Sequence, residues 1–406
     1  MSRSRALLRF GGGYGLAVVT GGVLSIAVIP VVILAAGEQS WATIAVAQAV
    51  GGFAFVFVAG GWGVTGPTAT AALPEGERGR YYRDSVATRG WLFVAIIGPA
   101  SAIAVLLTQD QPWLASMTVA GGLMAALSAG WFYVGESSPL RFLLIDTLPR
   151  NVATVVGAVV LLATGDAIWF VTAQFLGALL AAVVATADII RRYPAGRWVL
   201  GPITSFGRLR GQSSAITMAA TAAVYVNLPI VIVQVFIPAA TASYALAERM
   251  LRMTLYATRP FVQFSQGYVP DPDPARQSVR ATRVTALALA AGVLGGAAYA
   301  VAGPFASGLL SGGTLPMSFS LSIPLGLALA AMLVSQVTGF ACLTAFGLAR
   351  TLAQSTVVGA VLGAITMVPA AIVLGVDGLA WALAASELAV LAVQLVKLRP
   401  HLVRLA

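Results

Sequence analysis

Apolar segments, each near the roughly 20 residues that carry a helix across a bilayer's hydrocarbon core, succeed one another along almost the whole of this chain. Twelve are recognised, at 11–36, 41–65, 90–108, 112–134, 143–164, 167–190, 213–236, 239–268, 284–311, 317–347, 352–375 and 377–398. In hydrocarbon every backbone N–H and C=O must find a partner inside the protein, so segments of this length are predicted as helices. Charged residues are only 9% of the 406, and hydrophobic ones 59%, against about 25% charge in a soluble domain. The expected fold class is an all-α polytopic membrane protein. The N-terminus, MSRSRALLRF, has the charged start of a signal peptide, but the apolar run continues from Tyr14 to Ala36 and more spans follow, so it is predicted to be a first transmembrane helix.

The basic residues orient the spans. Arg3, Arg5 and Arg9 come first, followed by Arg78, Arg80, Arg83 and Arg89, then Arg141 and Arg150, then Arg191, Arg192, Arg197, Arg208 and Arg210. The later groups are Arg276, Arg280 and Arg283, then Arg350, then Lys397, Arg399 and Arg404. The alternate loops around Glu38, Asp110, Asp166, Pro238, Gly312 and Asp377 carry no Lys or Arg. Cytoplasmic loops are the basic ones, which predicts an even number of spans with both termini cytoplasmic. The net charge of +10 is thereby spread over the cytoplasmic rim, where it sets topology and attracts anionic membrane lipid; no nucleic-acid partner is expected.

Several chemistries are excluded by what the chain lacks. Cys342 is the one cysteine, so no intramolecular disulfide forms. His401 is the one histidine and lies in the tail, leaving neither a His-based metal site nor a Ser-His triad. The only lysine, Lys397, is in no glycine-rich loop, so there is no P-loop. Asp271-Pro272-Asp273 has the spacing of a metal-binding carboxylate pair but sits among turn formers, where a turn is expected. No catalytic residue, metal or cofactor is assigned and no enzyme is expected; the short outward loops argue against a membrane-embedded glycosyltransferase.

An internal repeat organises the chain. Ser85-Val86-Ala87-Thr88-Arg89 precedes the third apolar run and Ser278-Val279-Arg280-Ala281-Thr282-Arg283 the ninth, Arg89 and Arg283 lying 194 residues apart. Each half then holds six spans in one orientation, related by a pseudo-twofold axis along the membrane normal. The basic, Pro- and Gly-containing stretch 191–212 is read as the linker, dividing the chain into an N-terminal lobe at 1–200 and a C-terminal lobe at 201–406.

Three passages resemble the polysaccharide exporters and lipid-linked oligosaccharide (O-antigen) flippases of the MOP superfamily. Residues 58–68, Val-Ala-Gly-Gly-Trp-Gly-Val-Thr-Gly-Pro-Thr, which end the second span before a basic loop, look like the glycine-rich segment the family carries there. Trp131-Phe132-Tyr133-Val134-Gly135-Glu136 resembles its aromatic-Gln-Gly-acidic motif, with Val134 in place of the glutamine. Tyr225-Val226-Asn227-Leu228-Pro229 through Tyr244-Ala245-Leu246-Ala247-Glu248-Arg249 is similar to its spans seven and eight, with Asn227 where many relatives carry an acid. The resemblance implies a MATE-like pair of six-helix lobes around a cavity that opens alternately to either face of a bacterial cytoplasmic membrane. It also implies a glycan cargo on a polyprenyl pyrophosphate, with a polysaccharide polymerase and glycosyltransferases as partners; for the energy source the alternatives are the membrane potential, a proton and a sodium ion, and nothing in the residue spacing chooses among them. A MATE-type drug or cation antiporter and a lipid II flippase are the alternatives.

The charged residues of the eighth span are the foremost site candidates. At 1.5 Å per residue Arg249 lies roughly 15 Å from the start of its span, a depth at which charges face a bundle interior or a wet cavity. Arg249 and Arg252, one turn apart, are assigned to the pyrophosphate, whose oxygens suit their planar donor forks. The bland reading pairs Glu248 with Arg252 at i,i+4 and Glu387 with Arg249. Tyr225, Asn227, Tyr244 and Tyr256 are candidates to line a sugar cavity, or else ordinary packing residues. Arg9, Arg78, Arg80 and Arg83 are entrance candidates for the anionic headgroup, equally explained by topology.

Overall fold

The computed structural model describes residues 3–194, 198 and 201–403, with side chains described from residue 20 on. Arg3, Arg5 and Arg9 therefore have only their backbone described, and Arg197 and Arg404 lie outside the described residues. Every regular element among the described residues is helical. The succession is α1 (Arg3–Ala59), α2 (Trp62–Ala72), α3 (Glu75–Thr108), α4 (Pro112–Ala125), α5 (Gly130–Gly135), α6 (Pro139–Arg141), α7 (Leu148–Thr164) and α8 (Ala167–Arg192). It continues with α9 (Pro202–Gly207), α10 (Ser213–Phe236), α11 (Thr241–Tyr268), α12 (Pro274–Leu310), α13 (Phe319–Val337) and α14 (Ala349–Leu398). Two π-helical turns, Phe142–Thr147 before α7 and Thr338–Leu343 after α13, complete the spans to which they belong.

Nine helical stretches among the described residues are long and apolar enough to cross a membrane, so this is a multi-pass membrane protein. Two of the nine are pairs of predicted spans run together. α1 turns at Gly37 (φ 84°, ψ 165°) and α14 at Gly375 (φ 67°, ψ −151°), which are the junctions between predicted segments 11–36 and 41–65 and between 352–375 and 377–398. A side chain disfavours positive φ, so a glycine at each junction lets one helix hand over to the next without a loop. α11 is 28 residues long but stands outside the nine, because Glu248, Arg249, Arg252 and Arg259 interrupt its apolar character.

The chain forms two compact units, Met1–Val231 and Ile232–Ala406. In the first, α1, α3 and α4 bury Val50, Val58, Ala104, Val119 and Leu123 against one another. In the second, α12 and α13 meet through glycines: a Cβ on Gly296 would stand 2.5 Å from the Gly326 carbonyl oxygen, and one on Gly326 2.4 Å from that of Gly296. Small residues of this kind permit close helix approach where lipid supplies no hydrophobic drive for association.

One predicted span is broken. α4 ends at Ala125 and α5 starts at Gly130, and between them Ser128 Oγ accepts the Gly130 N–H at 3.0 Å in a local turn. The break takes the Ala126 and Ser128 carbonyls out of the helical ladder. Arg89 Nη1 donates to both, at 3.2 and 2.8 Å, while its Nε donates to the Ser85 carbonyl and its Nη2 to Ser85 Oγ, both at 3.3 Å. The guanidinium lies over the Trp131 ring at 5.6 Å, and the residue is 1% exposed. Arg89, grouped by sequence with the cytoplasmic charges, is thus an interior residue whose partners are backbone oxygens. Its counterpart in the sequence repeat, Arg283, is exposed on α12. The repeat recurs in helical position without recurring in role.

Candidate functional site

α11 presents its charges on one side of the second unit. Three residues advance a helix by about 300°, so Arg249 and Arg252 are nearly in line. Arg252 Nη2 holds Glu248 Oε1 at 2.6 Å, the i,i+4 pair expected from the spacing, and Glu248 is buried. That pair is neutral, which leaves the Arg249 charge in excess. Its Nε is buried and has no hydrogen-bond partner among the described residues. A buried, unanswered guanidinium N–H costs on the order of 1–3 kcal/mol or more, because a charged donor loses water and gains nothing.

Other candidates on or near this helix divide by environment. Tyr244 is fully buried. Tyr256 is exposed and carries the Arg259 guanidinium over its ring at 4.3 Å. Glu387 is buried on α14 with contacts of its own. Tyr299 of α12 donates to the Ala247 carbonyl at 2.7 Å, immediately before the charged turn, and so fixes its position against α12. Nothing in the sequence marked Tyr299, since a tyrosine that binds a helix carbonyl is indistinguishable there from one that packs.

In the first unit, Tyr225 and Asn227 are half-buried on α10. Asn227 Nδ2 donates to the Ala223 carbonyl at 2.8 Å, and its amide lies over Gly52 of α1, where a Cβ would come within 3.2 Å of Oδ1. The arginines at the start of α3 behave differently from one another. Arg78 Nε donates to the Leu73 carbonyl at 3.1 Å, Arg83 lies 5.5 Å from the Trp198 ring centroid, and Arg80 is exposed.

Two of the passages that carried the family resemblance pack against each other. A Cβ on Gly66 would stand 2.3 Å from Trp131 Cε3, and one on Gly135 2.5 Å from the Pro67 carbonyl oxygen. Glu136 Oε1 then accepts from Arg192 and, at 2.6 Å, from the Tyr193 hydroxyl; Arg192 also holds Asp188 at 2.8 Å, and Tyr133 donates to Asp188 at 3.0 Å. Burial, and then the bond to Glu136, push the Tyr193 phenol above its ordinary pKa. These aromatics and acids therefore form a structural clamp around α2, α5 and the end of α8. Asp271 and Asp273 likewise serve a turn: Asp273 caps α12 through the Ala275 N–H at 3.0 Å, and Asp271 pairs with Arg280 at 2.8 Å.

No family model matches the chain, and no curated protein matches it. Among solved structures, the chain is similar to the lipid II flippase MurJ in an inward closed conformation, with a TM-score of 0.72 and 10% identity over 97% of this chain and 87% of that one. It is also similar to an inward-facing multidrug resistance MATE family transporter of the MOP superfamily, with a TM-score of 0.63 and 14% identity over 93% and 94% of the two chains. A Vibrio cholerae MATE transporter, VcmN, aligns with a TM-score of 0.53 and 12% identity over 98% and 97%. The fold is the all-helical polytopic membrane fold that these structures share.

Proposed function

We propose that this protein is a flippase that carries a polyprenyl-pyrophosphate-linked glycan from the cytoplasmic to the outer leaflet by alternating access, serving cell-surface polysaccharide synthesis. The observation that carries the reading is the sign of the α11 cluster. Glu248 is neutralised by Arg252, so the turn offers an excess guanidinium at span depth, suited to phosphate oxygens. A cationic drug would need an available acid there, and the one acid of the turn is occupied. The likeness to a lipid II flippase favours a lipid-linked cargo and supports lipid II itself as the second reading. The protein acts as a transporter and not as an enzyme.

Twelve spans follow if Gly37 and Gly375 each separate two spans and α11 is counted with the nine apolar stretches. Basic alternate loops then put both termini in the cytoplasm of a bacterial cell membrane. The membrane potential, a proton or a sodium ion would drive the cycle, and the glycosyltransferases and polymerase of the pathway would stand on either side of it.

The test is Arg249→Ala, and separately Arg252→Ala, in cells that depend on this protein. Loss of a charge-assisted contact of about 1.5–3 kcal/mol corresponds to at least a tenfold fall in export at normal protein level, with a lipid-linked intermediate accumulating on the cytoplasmic side. Full export by both variants would reject the reading. The chemical identity of the accumulated lipid decides between lipid II and another glycan.

A further inference from the structure

The first unit encloses a second polar place at membrane depth, away from α11. A cavity of about 280 Å³ is lined by Gln48 of α1, Thr118 of α4, Arg150 and Thr154 of α7 and Gln174 of α8. Arg150, read from sequence as a cytoplasmic charge, is eleven residues inside the span that starts at Pro139, about 16 Å along its axis. Its Nε donates to the Asp146 carbonyl at 2.8 Å and its Nη2 pairs with the Asp146 carboxylate, which is itself 1% exposed and also accepts from Ser128 Oγ at 2.6 Å. Gln48 and Gln174 form no hydrogen bond with any described residue.

Both glutamines are half-buried at the wall, so their amides turn to whatever fills the cavity, water or a ligand. Its charge excludes two classes of occupant. The Arg150 cation is already answered by Asp146, which disfavours a bare anion, and no unpaired acid lines the wall to hold a cation. The ligand class that fits such a wall is uncharged and rich in hydroxyls, able to accept from amide N–H groups and a guanidinium edge and to donate to amide oxygens. Phe55, Val171 and Ala178 complete the wall with apolar surface that suits the C–H face of a pyranose. The volume equals about nine waters at ~30 Å³ each, or one sugar ring, and lies at the small end of ligand sites.

We propose that this cavity inside the first unit is a sugar-binding subsite that takes one neutral hexose or N-acetylhexosamine residue of the cargo. It rests on the glycan-flippase reading for the identity of the cargo and on the cavity alone for the chemistry of binding.

The experiment uses the whole protein in native membrane vesicles, with Cys342→Ala as a cysteine-free background and Thr154→Cys or Thr118→Cys as reporters. A membrane-impermeant thiosulfonate is expected to label a reporter, and glucose, galactose or N-acetylglucosamine is expected to slow labelling several-fold. Gln174→Leu should abolish that protection while leaving the protein level unchanged. Absence of labelling at both reporters, or labelling that no sugar slows, overturns the subsite; the latter means a cavity holding water only. Protection by free sugar in a protein that exports no lipid-linked glycan would leave the subsite standing and remove the flippase reading. Export that fails in Arg249→Ala, together with no protection, would remove the subsite alone.

Discussion

The fourth span of each half carries a serine near its end, and the two end differently. In the first unit Ser128 turns its hydroxyl forward to the Gly130 N–H and the helix breaks between α4 and α5. In the second, Ser335 turns its hydroxyl back to the Met332 carbonyl at 3.0 Å, and α13 runs on into a π-helical turn. A serine is compatible with either outcome. The first unit can keep its break because Arg89 receives the two carbonyls that the break releases. Among the described residues of the second, Arg283 is exposed, and Thr338 donates to Gln394 Oε1 at 2.6 Å while Gln394 Nε2 donates to Ser355 Oγ at 3.1 Å. In this protein the span that breaks is the one whose freed carbonyls meet a charged donor, and the one that continues does so through a π-helical turn.

The contrast can be broken at Arg89. Arg89→Met leaves two carbonyls and Ser85 Oγ without their donor, and is expected to destabilise the first unit by about 3 kcal/mol or more. A thermal melt of the purified protein should show it, and an unchanged melting temperature would mean that water replaces the side chain. Ser128→Ala removes the local turn bond and one of the partners of Asp146, for a loss of about 1 kcal/mol in the same assay. Ser335→Ala removes only a bond to a carbonyl within its own helix, and the melting temperature should shift by less than about 0.5 kcal/mol implies. Equal effects of the two serine substitutions would show that the break owes nothing to Ser128.

The spans, the charged turn of α11 and the Glu248–Arg252 pair were legible in the sequence because each depends on local spacing. The helix-to-helix handovers at Gly37 and Gly375 were legible as gaps between apolar runs, though not as continuous helices, since a positive φ at one glycine leaves no loop to detect. Arg89 and Arg150 were not legible. Both stand near the basic ends of apolar runs, and the orientation rule accounts for every such arginine equally well. What separates Arg89 from Arg80 is a pair of carbonyls in another helix, exposed by a turn that no residue type demands. Arg150 was hidden by the π turn and α6, which add nine residues of helix before α7 and so move it from the rim toward mid-span. Which residues the Arg249 guanidinium serves depends likewise on contacts distant in sequence.

The bonds of Arg89 also order events during synthesis. Its carbonyl partners lie 37 and 39 residues further along the chain. They leave the ribosome only after α3 has done so. The helix must therefore begin to partition into lipid on the strength of its apolar portion after Trp91, with the guanidinium at the basic end of that portion and its carbonyl partners still to come. The arginine is released from that position only when α4 and α5 arrive. Integration of the third span is thus a joint act with the fourth, and a truncated chain ending before Ser128 should hold α3 less firmly in the membrane than the complete protein does.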